Sequence, residues 1–476
     1  MASRLEIPAP KGKTAEGRIA RAKAPQYWSR RLSPVWYRTR EQRNRVRGYV
    51  RNGKALYLSD PIYKLKQARD ASNRVMLEEE LVAISDHGDM EPVAALSDKT
   101  VSNPKIRRAE LMTRISGMED YATKHGHDSL FITLTLPGEW HVANKSDGSL
   151  VKNYNGSNPI EANAWFNDRW RQCRAGLNDA GLLYYGFRVI EPHHDGTPHW
   201  HLLVFVPAEL RDAFKRSIEH YFGREHPNPA IGIKIVDGDP KKGSATAYIA
   251  KYVSKNIDGE ALGVEERGHA SRIVAWARIW GFRQFDQFGC PSVGVWRRLW
   301  SVRDEKKVPK SMLPAWIAVQ AKDSCAYMEA MGGPCRGSGY PINVEKGIKE
   351  GINGERSPTE NQYGEPLKTD GWNMLPVIGL RCGEDFLRTY AKFWTTALRT
   401  ILSLATDTVR FDGPWTRDNN CRAGSGGFGF GQGPPPAQPL PMPALLQPNA
   451  LTRESDMPWR NNPTIGRTVY SECGGL

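Results

Sequence analysis

The sequence predicts an α+β protein built on a ferredoxin-like (split βαβ) antiparallel sheet, with helices on one face and helical regions on either side of it. Two observations carry this prediction: strand and helix patterns alternate in a fixed order, and the second and third strands are joined by a short turn. The order is strand, helix, strand, strand, helix, strand, helix, over residues 130–136, 160–179, 182–190, 199–206, 208–222, 231–236 and 244–256. The first six elements match the split βαβ arrangement, which leaves one face of the sheet available for a site.

The single elements have distinct patterns. β-branched and apolar residues fill LFITLTL, between Asp128 and Pro137, which is typical of a strand. The second and third strands flank HHDGTP, where Asp195 and Gly196 indicate a hairpin bend. Before the sheet, apolar side chains recur every three or four residues over 104–125, and this spacing predicts a helix.

The charge balance indicates a partner. The chain has 476 residues, with 66 Lys and Arg against 52 Asp and Glu, a net charge of +14 and a pI near 9.4. Such a balance favours a polyanion such as nucleic acid, although it also serves solubility. Arginines lie close to aromatic residues in the N-terminal part: Arg38, Arg40, Arg43, Arg45, Arg47, Arg51, Trp28, Trp36, Tyr37 and Tyr49. This cluster fits phosphate contact with base stacking and a solvated helical face equally well.

We divide the chain into a basic, aromatic-rich region of 1–103, a core of 104–305, a helical and loop region of 306–421, and a tail of 422–476. The low-complexity composition of the tail predicts disorder. The most apolar long stretch, 386–405, contains basic residues and predicts a buried or interfacial helix rather than a membrane span.

Cysteine usage indicates the compartment. The seven cysteines are odd in number and form no CxxC pair, which argues against a disulfide framework or a zinc ribbon. The N-terminal MASRLEIPAPKGK lacks the apolar centre of a secretory signal. We therefore expect a protein of a reducing compartment, the cytoplasm.

A histidine pair is the first chemical signal. His199 and His201 lie two apart on a predicted strand, so their imidazoles share a face and could share a divalent cation, although such pairs are more often structural. Glu191 favours the metal site over a structural role, because the hairpin folds its carboxylate back toward His199. The carboxylate and the two imidazoles then form a set of three ligands that leaves further coordination positions of the cation open. An ion pair is its alternative role. We expect His193 and His194, in the turn, to be exposed to solvent, with spare ligands as the alternative.

A tyrosine pair is the second signal. Tyr248 and Tyr252 lie four apart on a predicted helix, so both hydroxyls leave the same side. An ordinary tyrosine has a pKa of ~10, and an ammonium or a metal cation nearby favours the phenolate that could attack. Lys251 is our candidate for this ammonium; half-buried surface tyrosines are the alternative. Candidates for contact with nucleic acid are Thr133, Thr135, Lys255 and Arg283.

Four segments in this order, FITLTLP, EPHHDGTPHWHLLVF, ATAYIAKYVSKNIDG and AWARIWGFRQF, resemble the phage replication gene A protein family. That family is part of the HUH endonucleases, which include rolling-circle Rep proteins and plasmid relaxases. The resemblance covers roughly residues 104–300. It implies that His199 and His201 are metal ligands with Glu191 as the third, and that the paired tyrosines are the nucleophiles.

The resemblance also implies a metal and a reaction. It implies Mg²⁺ or Mn²⁺, whereas two histidines and a glutamate suit zinc by ligand type. The expected reaction is a nick in single-stranded or origin DNA that starts rolling-circle replication, with a 5′-phosphotyrosine link, a free 3′-hydroxyl and later rejoining. No GxxxxGK[ST] loop is present, so a host helicase is expected as partner, as in the family.

Two other functions fit the same residues. A relaxase or a single-strand transposase of the same superfamily would share the whole site. A non-enzymatic nucleic-acid-binding protein would need aromatic residues on an exposed sheet face, where this sequence has histidines and threonines. Over 275–300, tryptophans alternate with arginines, which favours a core with a basic rim over a stacking surface.

Overall fold

A computed structural model describes residues 9–224, 226–228, 232–238, 243–259, 264–369 and 374–400. Its helices are α1 (Ala15–Lys23), α2 (Pro25–Val46), α3 (Asp60–Val75), α4 (Val93–Asp98), α5 (Pro104–His125), α6 (Pro159–Asp179), α7 (Arg211–Gly223), α8 (Ala245–Lys255), α9 (Val264–Trp280), α10 (Val293–Ser301), α11 (Leu313–Gln320) and α12 (Ser324–Ala330). Its strands are β1 (Leu81–Ser85), β2 (Met90–Pro92), β3 (His127–Leu134), β4 (Tyr185–Pro192), β5 (Pro198–Pro207), β6 (Ile233–Asp237), β7 (Phe285–Phe288), β8 (Asn343–Lys346), β9 (Val377–Cys382), β10 (Asp385–Arg388) and β11 (Trp394–Leu398). The predicted tail, 422–476, lies outside the described residues.

The central sheet is antiparallel, with the strand order β6-β3-β5-β4-β7. The chain passes in turn through β3, α6, β4, β5, α7, β6 and α8, so the predicted succession of elements is confirmed. Boundaries differ by a few residues, since the second strand covers Tyr185–Pro192 instead of 182–190. β7 adds an edge strand beside β4 that the sequence pattern did not indicate.

Helices cover both faces of this sheet, so the prediction of helices on one face is wrong. On β5, Trp200 and Leu202 pack with α6 and α7, whereas Leu203 and Phe205 pack with α5 and α8. All four side chains are buried. An uninterrupted apolar strand of this kind is typical of a sheet covered twice, not of a half-exposed one. The site must therefore lie between the sheet and a helix.

The basic N-terminal region contributes to the same core. Tyr37 of α2 is buried with residues of α9. Arg45 is only 1% exposed, and its Nε donates to the main-chain oxygen of Asp195 at 2.9 Å. Arg40, by contrast, is exposed and lies over the ring of Trp36. The arginine cluster is thus divided between a buried, structural part and an exposed helical face, and contact of the exposed part with nucleic acid stays a prediction.

The C-terminal region is only partly helical. The stretch 386–405, predicted as a helix, contains β10 and β11 over its described part, so that prediction is wrong. β11 pairs with β1, Leu398 opposite Leu81, and β8, β9 and β10 form a third sheet. The apolar composition was recognised correctly, but a strand is stabilised by a partner that is distant in sequence, which local spacing does not reveal.

Three smaller predictions concern the same described residues. Trp276, Trp280 and Trp296 are buried, which confirms the core interpretation of these tryptophans. No described helix has the length and apolarity needed to cross a membrane. The cysteines of the described part are all free thiols: Cys173, Cys290, Cys325, Cys335 and Cys382.

Candidate active site

The β4–β5 hairpin positions the predicted ligands. Glu191 lies directly opposite His199 in the strand register, and His201 follows two residues later on the same face. The ring centroids of His199 and His201 are 4.7 Å apart. The predicted return of Glu191 to the histidine strand is therefore confirmed. The turn requires Gly196, whose φ is +80° and whose missing Cβ would lie 2.8 Å from a main-chain oxygen.

Two threonines of the neighbouring strand segment orient the imidazoles. The Oγ1 atoms of Thr135 and Thr133 lie 3.1 and 3.2 Å from the Nδ1 atoms of His199 and His201, respectively. Each Nδ1 is thereby engaged by a threonine, and each Nε2 lies on the other side of its ring, the arrangement of metal sites in which the second ring nitrogen has its own partner. Burial and the neighbouring imidazoles lower the pKa of His199 well below its usual value, so its ring is neutral at pH 7.

Glu191 is the electrostatic centre of the site. Its Oε2 lies 3.6 Å from Nε2 of His201 and 3.2 Å from Nζ of Lys255. Asn256 donates to its other oxygen and accepts at 2.9 Å from Gln284. Burial alone would raise the pKa of Glu191, but the hydrogen bond to His201 and the charge of Lys255 outweigh it and lower the pKa. The carboxylate is therefore ionised although it is only 4% exposed.

Helix α8 presents the tyrosines to this group. Its start is capped twice: the Ser244 side chain accepts from within the helix, and the Glu119 carboxylate of α5 accepts from the first two amides. Ile249 and Val253 bury one side of α8 in the core shared with α5 and the sheet. The opposite side of α8, which carries Tyr248 and Tyr252, is consequently held against the histidines. Sequence spacing predicted that Tyr248 and Tyr252 share one side of the helix. It did not indicate the cap by Glu119, which comes from a helix distant in sequence.

The two phenols lie together beside the imidazoles. The Tyr252 ring packs on His201 at 4.2 Å between centroids, and the Tyr252 and Tyr248 hydroxyls are 3.3 Å apart. Tyr248 is 46% exposed and packs on Phe131. Burial, followed by the hydrogen bond to Tyr248 and the charge of Glu191, raises the pKa of Tyr252. The side chains alone therefore hold the Tyr252 hydroxyl protonated, and a phenolate needs an added cation.

The remaining predicted residues lie at different distances from this group. Lys255 is the ammonium that contacts the site, through Glu191. Lys251 is exposed, and within the described residues no contact joins it to either tyrosine. Arg283, with a side chain 76% exposed, pairs with Asp286 at 3.2 Å. Its contact with nucleic acid stays a prediction, as does that of Thr133 and Thr135.

The turn histidines are not exposed as expected. His194 is 8% exposed and its Nε2 lies 3.0 Å from the main-chain oxygen of Ala143, and His193 is partly buried against His141. Asp195 is fully buried, and its carboxylate oxygens lie 3.3 and 3.4 Å from Nδ1 of His141. The expectation failed because the loop after β3 folds over the turn, which the local polar sequence did not indicate. Burial lowers the pKa of His193 to about 3, so it is neutral at pH 7.

Two groups of side chains could hold a metal ion. His199, His201 and Glu191 supply two imidazoles and a carboxylate, which fits a divalent cation by donor type. A second group, His141, His193 and Asp195, is more compact: within the described residues, it is the one whose ligand atoms all lie within 4.8 Å of one another.

Three residues of these groups and their surroundings were not predicted from the sequence: Asn256, Gln284 and His141. Asn256 follows Tyr252 by one helical turn, and that spacing was the available signal.

Comparison with known proteins identifies the relatives of this chain. The family model of the bacteriophage replication gene A protein (GPA) matches residues 4–260. The replication protein of Haemophilus phage HP1 is 32% identical over 446 residues, covering 86% of this chain and 54% of the phage protein. The replication gene A protein of Escherichia phage P2 is 30% identical over 389 residues, covering 76% and 50%.

A probable replication endonuclease from a prophage-like region of Salmonella typhimurium is 32% identical over 298 residues, covering 59% of this chain and 36% of that protein. The chain thus spans about half the length of the curated phage relatives. No solved structure matches. The family match includes the N-terminal region, where the sequence motifs had indicated nothing transferable, and covers more than half of the 476 residues. The chain therefore belongs to the bacteriophage replication gene A protein family.

Proposed function

We propose that this chain is an HUH-type replication initiator endonuclease, which nicks one DNA strand by tyrosine attack and later rejoins it. One observation carries the proposal: two phenols, 3.3 Å apart, lie against a pair of imidazoles and a buried carboxylate. Its relatives from Salmonella are named probable replication endonucleases. The antiparallel strand order β6-β3-β5-β4-β7 supports the ferredoxin-like sheet that belongs to the proposal.

His199, His201 and Glu191 are the proposed ligands of Mg²⁺ or Mn²⁺. The neutral imidazole of His199 and the ionised Glu191 have the protonation states that ligation needs. When bound, such a cation supplies Lewis-acid stabilisation of the charge that develops on the scissile phosphate. Thr133 and Thr135 fix the ring orientations of the histidines. Asn256 and Lys255 fix the carboxylate.

The chain's own residues account for the covalent steps. The phenolic oxygen of Tyr252 or Tyr248 forms a bond to phosphorus, the bond from phosphorus to the 3′-oxygen breaks, and the phosphate is left linked through its 5′-side to tyrosine. The phenol loses one proton and the 3′-oxygen gains one, so no water or ATP is consumed. In rejoining, a 3′-hydroxyl attacks the phosphotyrosine and the phenol recovers its proton. Two adjacent phenols allow the roles to alternate.

The proposed substrate is single-stranded or extruded origin DNA, and a host helicase is the proposed partner. The site lies between sheet and helix, so an unpaired strand reaches it more readily than a stacked duplex. A relaxase or transposase would use the same residues, and cleavage of origin DNA compared with transfer-origin DNA distinguishes these activities. The exposed aromatic sheet required by a purely binding protein is disfavoured here, because helices cover both faces.

The test is formation of a covalent adduct with labelled single-stranded DNA and Mg²⁺, followed on a denaturing gel. We expect an adduct in the wild type and in either single variant, Tyr248→Phe or Tyr252→Phe, and none in the double variant or in His199→Ala. Tyr221→Phe, at a partly buried tyrosine of α7 that packs on the other face of the sheet, is the matched control. An adduct that forms equally well with excess chelator would contradict the role of the metal, and one that persists in the double variant would contradict the nucleophiles.

A further inference from the structure

We propose that His141, His193 and Asp195 form a second divalent-cation site, of the zinc class and structural in role, next to the predicted ligands of the nickase site. His141 belongs to the loop after β3, and His193 and Asp195 belong to the β4–β5 turn. A cation held by these three side chains would join that loop to the turn. This inference does not depend on the nickase reaction, but the expected count of two equivalents rests on the proposed metal site at His199.

The spacing of the donor atoms supports a metal. The ligand atoms of the three residues all lie within 4.8 Å of one another. Nδ1 of His141 is 3.3 Å from one carboxylate oxygen of Asp195 and 3.4 Å from the other. A charge-assisted hydrogen bond is ordinarily about 2.7–2.9 Å long. Two ligands about 2.0–2.2 Å from one tetrahedral ion are separated by about 3.4 Å.

The hydrogen bonds of the turn leave a lone pair on His193. Nε2 of His194 is 3.0 Å from the main-chain oxygen of Ala143, so it carries the proton and donates. Nδ1 of His194 is then an acceptor, and its neighbour at 2.5 Å, Nδ1 of His193, must be the donor. The proton of His193 is therefore on Nδ1 and Nε2 is free of a proton. A ligating histidine ordinarily has such a partner on its other nitrogen.

The burial of the group favours a structural role, and water would take the fourth position of a tetrahedral ion. Asp195 is 0% exposed and His141 is 8% exposed. The Asp195 carboxylate also accepts from the amides of Val142 and Thr197, which fixes its orientation. Arg45 donates to the main-chain oxygen of Asp195, so a positive charge lies nearby. This charge makes the expected affinity lower than that of a site without a neighbouring cation.

The second site is adjacent to the first but distinct from it. The ring centroids of His193 and His199 are 5.8 Å apart, and His199 has its own hydrogen-bond partner in Thr135. The chain should consequently bind two equivalents of a zinc-class ion, one in each group. Ligation of His141 and Asp195 should also stabilise the loop over the turn that carries the nickase ligands.

The experiment uses the full chain, stripped with chelator and titrated with Zn²⁺, and with Co²⁺ for its visible absorption. We expect two equivalents in the wild type, one in His193→Ala, one in His199→Ala, and none in the double variant. His87→Ala, at an exposed histidine of the β1–β2 turn, should keep two. His193 is the preferred target because it is only partly buried; His193→Asn replaces it if the alanine variant does not fold.

A second measurement separates this site from the nickase site. In His199→Ala, Zn²⁺ should still raise the melting temperature, and this rise should disappear when His193→Ala is added. A wild type that binds one equivalent, with a value unchanged in His193→Ala, would overturn the proposal. If the His199 group bound no ion, the wild type would bind one equivalent and His193→Ala none, so loss of an equivalent in His193→Ala tests the second site separately from the nickase assignment.

Discussion

Nζ of Lys255 lies 3.2 Å from Oε2 of Glu191, and this ion pair joins the last turn of α8 to the end of β4. The carboxylate is 5% exposed and the ammonium 28% exposed at the side chain, so water screens the pair only partly. Lys251, one turn earlier, is exposed. The two lysines of the tyrosine helix thus occupy different environments, although the sequence spacing treats them alike.

We expect Lys255→Ala to lower the rate of adduct formation about tenfold or more, because a positive charge near the developing phosphate charge is lost. Lys251→Ala should stay within about twofold of the wild type, as is usual for an exposed charge. The measurement is single-turnover cleavage of labelled single-stranded DNA. Equal losses in both variants, or a larger loss in Lys251→Ala, would contradict this assignment of the ammonium.

Asn256→Ala should weaken metal activation. Asn256 is fully buried, donates to Glu191 and receives a hydrogen bond from Gln284, so its loss frees the carboxylate to turn away from the histidines. We expect the Mg²⁺ concentration for half-maximal cleavage to rise about 10- to 100-fold.

Gln284→Ala, one step further from the carboxylate, should act in the same direction but less strongly. Thermal melting is measured in parallel, because Asn256 also donates to the Tyr252 carbonyl at the end of α8. A loss of stability with an unchanged Mg²⁺ requirement would assign Asn256 a structural role alone.

Glu41 should make stability depend on pH. It is fully buried in α2 and accepts from Ser59, and burial raises its pKa to about 7. Its pKa in the unfolded chain is about 4.3. Because the folded value is the higher one, the stabilising contribution is complete below the unfolded pKa and is lost as the pH rises through about 7.

Glu41→Gln should remove this dependence, since glutamine keeps the neutral shape and can still accept from Ser59. The wild type should lose stability from pH 5 to pH 8 through Glu41, and the variant should not. The free energy of unfolding of Glu41→Gln, measured relative to the wild type, should therefore be about 2–3 kcal/mol higher at pH 8 than at pH 5. Urea unfolding at both pH values measures this difference. Glu305→Gln, at an exposed residue, is the control and should follow the wild type. Parallel curves for Glu41→Gln and wild type would exclude a protonated Glu41.

Local periodicity predicted the elements of the site, because its signals are short in range. Residues two apart on a strand and four apart on a helix share a side, so the pairs at His199 and His201 and at Tyr248 and Tyr252 could be read directly. The bend at Asp195 and Gly196 indicated the hairpin, and the hairpin places Glu191 opposite His199. The packing of α8 against β5 follows from the burial of the apolar sides of both elements.

Contacts between distant segments were not predictable in this way. Arg45 holds the main-chain oxygen of Asp195 from 150 residues away, and the pairing of β11 with β1 places Leu398 opposite Leu81. The covering of both sheet faces depends on α5, which the spacing predicted as a helix but whose packing against the sheet it did not indicate. Burial of the turn histidines follows from one loop folding over another, which no spacing rule encodes.

Tyr252→Phe should slow the first cleavage more than Tyr248→Phe. The Tyr252 ring packs on His201 and is half-buried, whereas Tyr248 is 46% exposed. The raised pKa of Tyr252 means that this phenol gains most from a cation beside His201. We expect a loss of about tenfold or more for Tyr252→Phe and less than about threefold for Tyr248→Phe, at neutral pH with Mg²⁺. Rapid-quench adduct formation measures both rates, with Tyr221→Phe as the control. A larger loss in Tyr248→Phe would contradict this prediction. It would assign the first attack to the exposed phenol and show that contact with His201 does not determine which tyrosine attacks first.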